Sequence, residues 1–262
     1  MKYIIAVDLE GVAGVVGSVG KTLTDSPDYA FACQQGVREA NAAAGALFAA
    51  GATEVLVWDN HGSGHNLACE QLDRRCRIIL GSGGPHRWPG LDSSFAGVLL
   101  IGYHAMDNTI NGVLAHSYNS QVYQWLKINN TEVGEIAIDA AMAGECHGVP
   151  VIFVSSDDHG VSEAKRFLPW IETVSTKIGL GRNLAVSQHP LAVLDEISRA
   201  VGKAVAGIDT MQAFAFTRPV TLQIRYKRME EAEKAYANDP VGTRQVDAYT
   251  VSRTYKQLSD VY

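Results

Sequence analysis

The sequence predicts an α/β fold: a largely parallel sheet covered by helices on both faces, with a smaller C-terminal α+β region. Three observations lead there. Short, continuously apolar runs alternate with helix-type segments through the first half of the chain. The C-terminal part changes character, with one half-exposed alternating segment and one highly charged helical segment. Hydrophobic residues make up 47% and charged residues 19% of 262 positions, enough for one large α/β domain or a domain plus an appendage.

The elements follow in order. Residues 2–7 are a strand, because the run Ile4-Ile5-Ala6-Val7 is short, apolar and partly β-branched. Residues 28–50 are a helix, since small, strong helix formers dominate 37–50 and Gly51 is a natural C-terminal stop. Residues 54–58 form the next strand, 77–80 a short one, and 96–102 (Ala-Gly-Val-Leu-Leu-Ile-Gly) a buried one. A small-residue helix spans 135–146, and 150–155 is another buried strand. Residues 190–207 read as a helix, 219–226 as a half-exposed strand, 229–238 as a charged helix and 246–252 as a strand. No Ser/Gly-rich linker marks a boundary. The change of character within 160–190 divides the chain into an α/β domain over 1–175 and a smaller α+β domain over 176–262.

Charge and targeting signals narrow the class. The net charge is −6, and no long basic cluster or aromatic-plus-basic strip is present, so nucleic acid is not an expected partner. The locally basic stretch 222–228 is explained by an alternating strand with a solvated face. No apolar stretch approaches the ~18–20 residues that cross a bilayer, and the N-terminal apolar run ends in acids rather than a small-residue cleavage site. Cys33, Cys69, Cys76 and Cys146 lack CxxC spacing, which argues for free thiols, a reducing cytoplasm and no Cys-based zinc site.

Ligands of an open parallel sheet bind beyond the carboxyl ends of its strands. Strand 2–7 is followed by Asp8 and Glu10, which point to the same side and repel unless a positive charge lies between them. Mg, Mn and Zn ions all accept such carboxylates. Strand 54–58 is followed by Asp59, Asn60 and His61, strand 96–102 by Tyr103 and His104, and strand 150–155 by Asp157, Asp158 and His159. Four strand ends thus present metal-type or acid–base groups, which favours a metal site. Each residue also has a simpler role open to it. His61 could bond locally in a Gly-rich loop, His104 could be a satisfied core histidine, and Asp157-Asp158 could cap a helix starting near Val161. His65 and His159 read as local loop residues, and His86, His147 and His189 as surface residues. Glu135 alone is a first-turn helix carboxylate favoured by the dipole, and His116 alone carries no signal.

Taken together, Val7-Asp8-Leu9-Glu10-Gly11-Val12-Ala13-Gly14, Asp59-Asn60-His61, Gly102-Tyr103-His104-Ala105, His116-Ser117 and Val133-Gly134-Glu135 resemble, in order and spacing, the D-aminopeptidase family of dinuclear zinc metallopeptidases, of the dipeptide-transport-operon type. The resemblance runs from about residue 3 to about 165 and continues more weakly to the end. It implies an aminopeptidase with two Zn2+ per chain that releases the N-terminal residue, D-configured in the family, from short peptides or amino-acid amides. It implies Asp8 as the bridge, Glu10 and His104 on one metal, His61 and Glu135 on the other, and His116 as nucleophile or acid–base group. It also implies a ring-shaped homodecamer. Attack by His116 itself, or by an activated water with His116 as proton shuttle or oxyanion stabiliser, are both open, and physical chemistry favours the second.

The chain departs from the family at Met106, where arginine is frequent, and at the helix start around Gly36–Asn41. Neither change removes a ligand, but both bear on what surrounds the substrate. The competing function is a metal-dependent amidohydrolase acting on a non-peptide amide. A peptide-binding protein with structural metal is disfavoured because all five ligands and His116 are present. A two-metal phosphatase is disfavoured because no Gly-rich phosphate cradle or arginine clamp is evident.

Overall fold

The computed structural model describes residues 1–84 and 87–261, so His86 lies outside the described residues. The parallel sheet is built on β1 (Lys2–Val7), β2 (Glu54–Asp59), β4 (Phe95–Ile101) and β7 (Val151–Asp157), which are largely apolar and almost fully buried, flanked by the less buried β3 (Arg77–Ile79) and β8 (Glu172–Gly181). With β9 (Leu184–Ser187) they form a seven-stranded sheet in the order β3-β2-β1-β4-β7-β8-β9, parallel except for β9. The strand order reverses at β1, with β2 on one side and β4 on the other, which opens a crevice at their carboxyl ends.

One face is covered by α1 (Tyr29–Ala49) and α4 (Pro190–Ala206). The alanines of α1 serve that contact: Ala40, Ala43 and Ala44 are fully buried and let the two helices approach closely above Ile5 and Val7. The other face is covered by α2 (Glu135–His147), with Ile136, Ala140 and Ala143 packed against Ile4 and Leu100. The helix α3 (Asp158–Phe167) lies beside α2 against β8.

A second, antiparallel sheet runs β11-β12-β10-β5-β6. It takes β5 (Tyr123–Ile128) and β6 (Thr131–Val133) from the middle of the chain and β10 (Val220–Tyr226), β11 (Thr243–Asp247) and β12 (Thr250–Tyr255) from its end, with α5 (Met229–Asn238) packed on it. The two sheets therefore do not divide at 175/176. β8, β9 and α4 stay with the parallel sheet, and 123–133 joins the antiparallel one.

The single strand expected over 246–252 is instead a hairpin. The Asp247 side chain accepts hydrogen bonds from the Tyr249 N–H (2.8 Å) and the Thr250 hydroxyl (3.1 Å), a local turn that ends β11 and starts β12. The hairpin β5–β6 turns on Asn129 and Asn130 at φ 50° and 67°, the geometry of a two-residue primed turn.

Candidate active site

The crevice at β1, β2 and β4 gathers the predicted residues. Asp8 and Glu10 follow β1, His61 follows β2, His104 follows β4, and Glu135 opens α2; all five are buried. His116 arrives on the loop between β4 and β5.

Two glycines make this convergence possible. Asp8 N–H donates to Ile101 O (2.8 Å) and Gly11 N–H to Gly102 O (2.7 Å), so the loops after β1 and β4 run in direct contact. A Cβ on Gly11 would lie 1.8 Å from Tyr103 O, and one on Gly102, at φ 68°, 2.2 Å from Asp8 O.

The geometry is organised around Asp8. His61 Nδ1 lies 2.8 Å from Asp8 Oδ1 and 3.1 Å from Glu10 Oε2. His104 Nε2 lies 3.4 Å from Asp8 Oδ2 and 3.3 Å from Glu135 Oε1. One oxygen of Asp8 thus faces His61 beside Glu10, and the other faces His104 beside Glu135. Two donor groups, Asp8–Glu10–His104 and His104–His116–Glu135, each bring one ligand atom per residue within 4.8 Å of one another. His116 Nε2 is 4.0 Å from Glu135 Oε1, and its ring stacks on that of His104 at 3.9 Å and 13°.

The donor set fits a metal. Glu10 Oε2 and His104 Nε2 are buried and make no hydrogen bond, although each points at other potential ligands. Carboxylate and imidazole donors with no thiolate suit zinc. His104 Nδ1 is 3.0 Å from Ala105 O and His116 Nδ1 is 2.8 Å from Leu114 O. Each ring donates from Nδ1 to that carbonyl, which leaves Nε2 facing the cluster.

Charge separates the three imidazoles. Burial acts to lower His61, but Glu10 and Asp8 push it up to about 12. Burial acts likewise on His104, and Glu135 and Asp8 push it up to about 10. His116 goes the other way: burial, then the charge on His104, hold it below its ordinary value. Asp8 is pushed up to about 7 by burial and by Glu10, while Glu135 is held at about 2, chiefly by His104, against the effect of burial. Without an ion the cluster balances its carboxylates with protons on His61 and His104, so metal uptake releases protons and weakens in acid.

Other predicted residues have structural roles. Asp157 caps α3 by accepting from Gly160 N (2.7 Å) and holds Val113 N (2.7 Å), three residues before His116; α3 starts at Asp158, not near Val161. Asp158 accepts from Gly179 N (2.9 Å). Asp59 turns away from the crevice to bind the backbone N–H groups of Asn66 and Leu67. His65 bonds locally to Ser63 O, and His189 caps α4. Met106 does not line the cavity; its Cα and Cβ lie against Gly134.

The chain matches the family model described as D-aminopeptidase over residues 1–262. The chain belongs to the D-aminopeptidase family. It is accordingly an aminopeptidase. It is 30% identical over 268 residues to the D-aminopeptidase of Bacillus subtilis (strain 168), covering 100% of this chain and 94% of that one. A solved structure described as the Zn-dependent D-aminopeptidase DppA from Bacillus subtilis, a self-compartmentalizing protease, superposes with a TM-score of 0.91 at 30% identity, covering 100% and 94% of the two chains.

Several residues of this family member have no clear signal in the sequence. Asp139 lies one helical turn after Glu135 and accepts from Arg87 Nε and Nη2 (both 2.7 Å), Tyr103 OH (2.7 Å) and Tyr118 OH (3.2 Å). Asn60 completes the network by donating to Tyr103 OH (2.7 Å) and accepting from Arg87 Nη1 (2.8 Å). Asn60, Tyr103 and Glu135 thereby tie three ligand segments to one buried carboxylate. The i, i+4 spacing of Glu135 and Asp139 on one helix face was the available hint.

Lys177, from β8, is fully buried. It donates from Nζ to Glu10 O (2.6 Å), Val12 O (2.8 Å) and Val15 O (2.7 Å), and burial lowers its pKa to about 8.

Glu39 of α1 grips the same loop, accepting from Ala13 N (2.9 Å) and Gln35 Nε2 (3.0 Å). Burial pushes Glu39 up from 4.5 to about 7. Between those values the native state binds more protons than the unfolded one, so this group's contribution to stability falls as pH rises through that window. Glu39→Gln keeps the shape and removes the ionisation. Its stability relative to wild type should rise between pH 5 and pH 8, by at most about 3 kcal/mol. Urea denaturation at the two pH values checks this, and Lys177 is the charged group nearby that would reduce the effect.

Proposed function

We propose that this chain is a dinuclear zinc aminopeptidase that removes the N-terminal residue, D-configured by preference, from short peptides or amino-acid amides. The metal ligands in this reading are Asp8, Glu10, His61, His104 and Glu135, and the acid–base residue is His116. The observation that carries it is the division of Asp8's two oxygens between two donor groups. That division supports Asp8 as the bridge, and the compact donor group Asp8–Glu10–His104 supports Glu10 and His104 on one ion, as the family resemblance implied, with His61 and Glu135 on the other.

Bound there, two ions would polarise the scissile carbonyl and make a water more acidic. The residues supply the rest. His116, kept neutral and offering Nε2 toward Glu135, takes a proton from the attacking water and returns it to the leaving amine. Tyr118 N–H donates to Glu135 Oε1 (2.7 Å), the oxygen that also faces His104, and holds this carboxylate in place. The buried carboxylates give the free N-terminal ammonium of the substrate a partner.

The zinc-dependent D-aminopeptidase activity of the B. subtilis relative supports both the metal and the D-configuration. The self-compartmentalization of that relative supports assembly of this chain into a closed homo-oligomer, a decamer in our reading. The four free cysteines support a reducing cytoplasm, and among the described residues no helix is long and apolar enough to cross a membrane.

A chromogenic panel of D- and L-aminoacyl anilides and anilides without an α-amine, with metal analysis of the same sample, tests the proposal. The expected result is close to two zinc ions per chain and turnover of the D series. Activity confined to amides lacking an α-amine would reject the aminopeptidase in favour of an amidohydrolase.

A further inference from the structure

The cavity over the cluster has a second wall. Its volume is about 280 Å³, and Lys21, Thr22, Thr24 and Arg182 line it together with the ligand residues. That volume lies just below the ~300–1,000 Å³ typical of small-molecule sites, so a substrate held inside it has only a few residues.

Among the described residues, neither Lys21 nor Arg182 has a carboxylate within ion-pair distance, whereas Arg87, which lines the same cavity, is neutralised by Asp139 at 2.7 Å. Arg182 is nevertheless held in place. It sits between β8 and β9, its carbonyl accepts from Leu114 N (2.8 Å), and its Nη1 donates to Ala115 O. The neighbouring Asn183 donates to Val16 O (2.8 Å), which ties this turn to the loop that carries Lys21. The guanidinium makes no other hydrogen bond among the described residues, which leaves N–H donors for a planar anion.

We propose that Lys21 and Arg182 form a carboxylate subsite that receives the C-terminal carboxylate of a di- or tripeptide while its N-terminus lies at the metal cluster. The proposal rests on the aminopeptidase reading and gives it a substrate class: free-acid peptides short enough to reach both walls. Longer peptides would have to place an uncharged peptide bond against the two cations.

The test compares a dipeptide, in the configuration the chromogenic panel selects, with its C-terminal amide on the zinc-loaded enzyme. KM should be at least about ten-fold lower for the acid, with kcat little changed. In the Lys21→Met/Arg182→Met double variant the acid-to-amide ratio should fall to near one. Because the ratio is taken within each protein, any disturbance of the His116 loop through Ala115 cancels. Should the double variant fail to fold, exposed Lys21→Met alone should lower the ratio at least three-fold. Equal KM values in wild type, or a preference that survives in the variants, would overturn the subsite. If wild type turns over neither compound, the aminopeptidase reading fails. Calorimetry on zinc-loaded His116→Ala then still reads the subsite: tighter binding of the acid than of the amide supports it, and equal affinity removes it.

Discussion

Asp8→Ala is expected to strip the protein of both metal ions, from close to two per chain to near none, and to abolish turnover. The reason is geometric: His61 with Glu10 meets one oxygen of this carboxylate, and His104 with Glu135 meets the other. Loss of a group that merely supports a ligand costs roughly 10–100-fold in metal affinity, and loss of a shared ligand costs more on both sides. Glu10→Ala should behave differently, weakening one ion and leaving the second near full occupancy. Elemental analysis of the two variants after dialysis against a weak chelator separates these outcomes. A variant lacking Asp8 that still holds one ion tightly would show that the two sites do not share this residue.

His116→Ala is expected to keep both ions and lose turnover by roughly 10²–10⁴-fold, the range for removal of a general acid–base group. His116 is the one imidazole of the three whose surroundings favour the neutral form, because burial and His104 both act against its protonation. Its stacking on His104 also makes it the nearest histidine outside the Asp8 contacts. Metal content and kcat measured on one preparation decide the matter. Loss of an ion along with activity would make His116 a ligand, which its position among the donors with His104 and Glu135 permits. The pH profile is a second reading. In wild type, kcat should fall in acid as His116 takes up its proton, and that limb should be missing in the residual activity of the variant.

The parts of the site legible in the sequence are those fixed by local pattern. Asp8, Glu10, His61 and His104 each stand just past an apolar strand, and a parallel sheet brings such positions together whatever lies between them. Glu135 and His116 have no such marker. One follows a three-residue strand of the other sheet, and one sits in a long loop, so only the family pattern brought them into the set. The supporting residues were hidden for a different reason. Asp139, Arg87 and Lys177 act across separations of 21 to 167 residues, and nothing near them in sequence names their partners. The antiparallel sheet was missed in part because its strands come from two distant stretches. The Asn129-Asn130 turn was a readable local sign that β5 and β6 form a hairpin.

Lys177 also bears on the order in which the active centre can come into being. Chains emerge from the ribosome N-terminus first, and every proposed ligand has been synthesised by residue 135. The ammonium that holds the carbonyls of Glu10, Val12 and Val15 comes 167 positions after Glu10. A nascent chain that already carries all five ligands still lacks the clasp that gives their first loop its shape. The centre is complete in composition well before it is complete in space, and a protein stopped short of β8 would have ligands without a site.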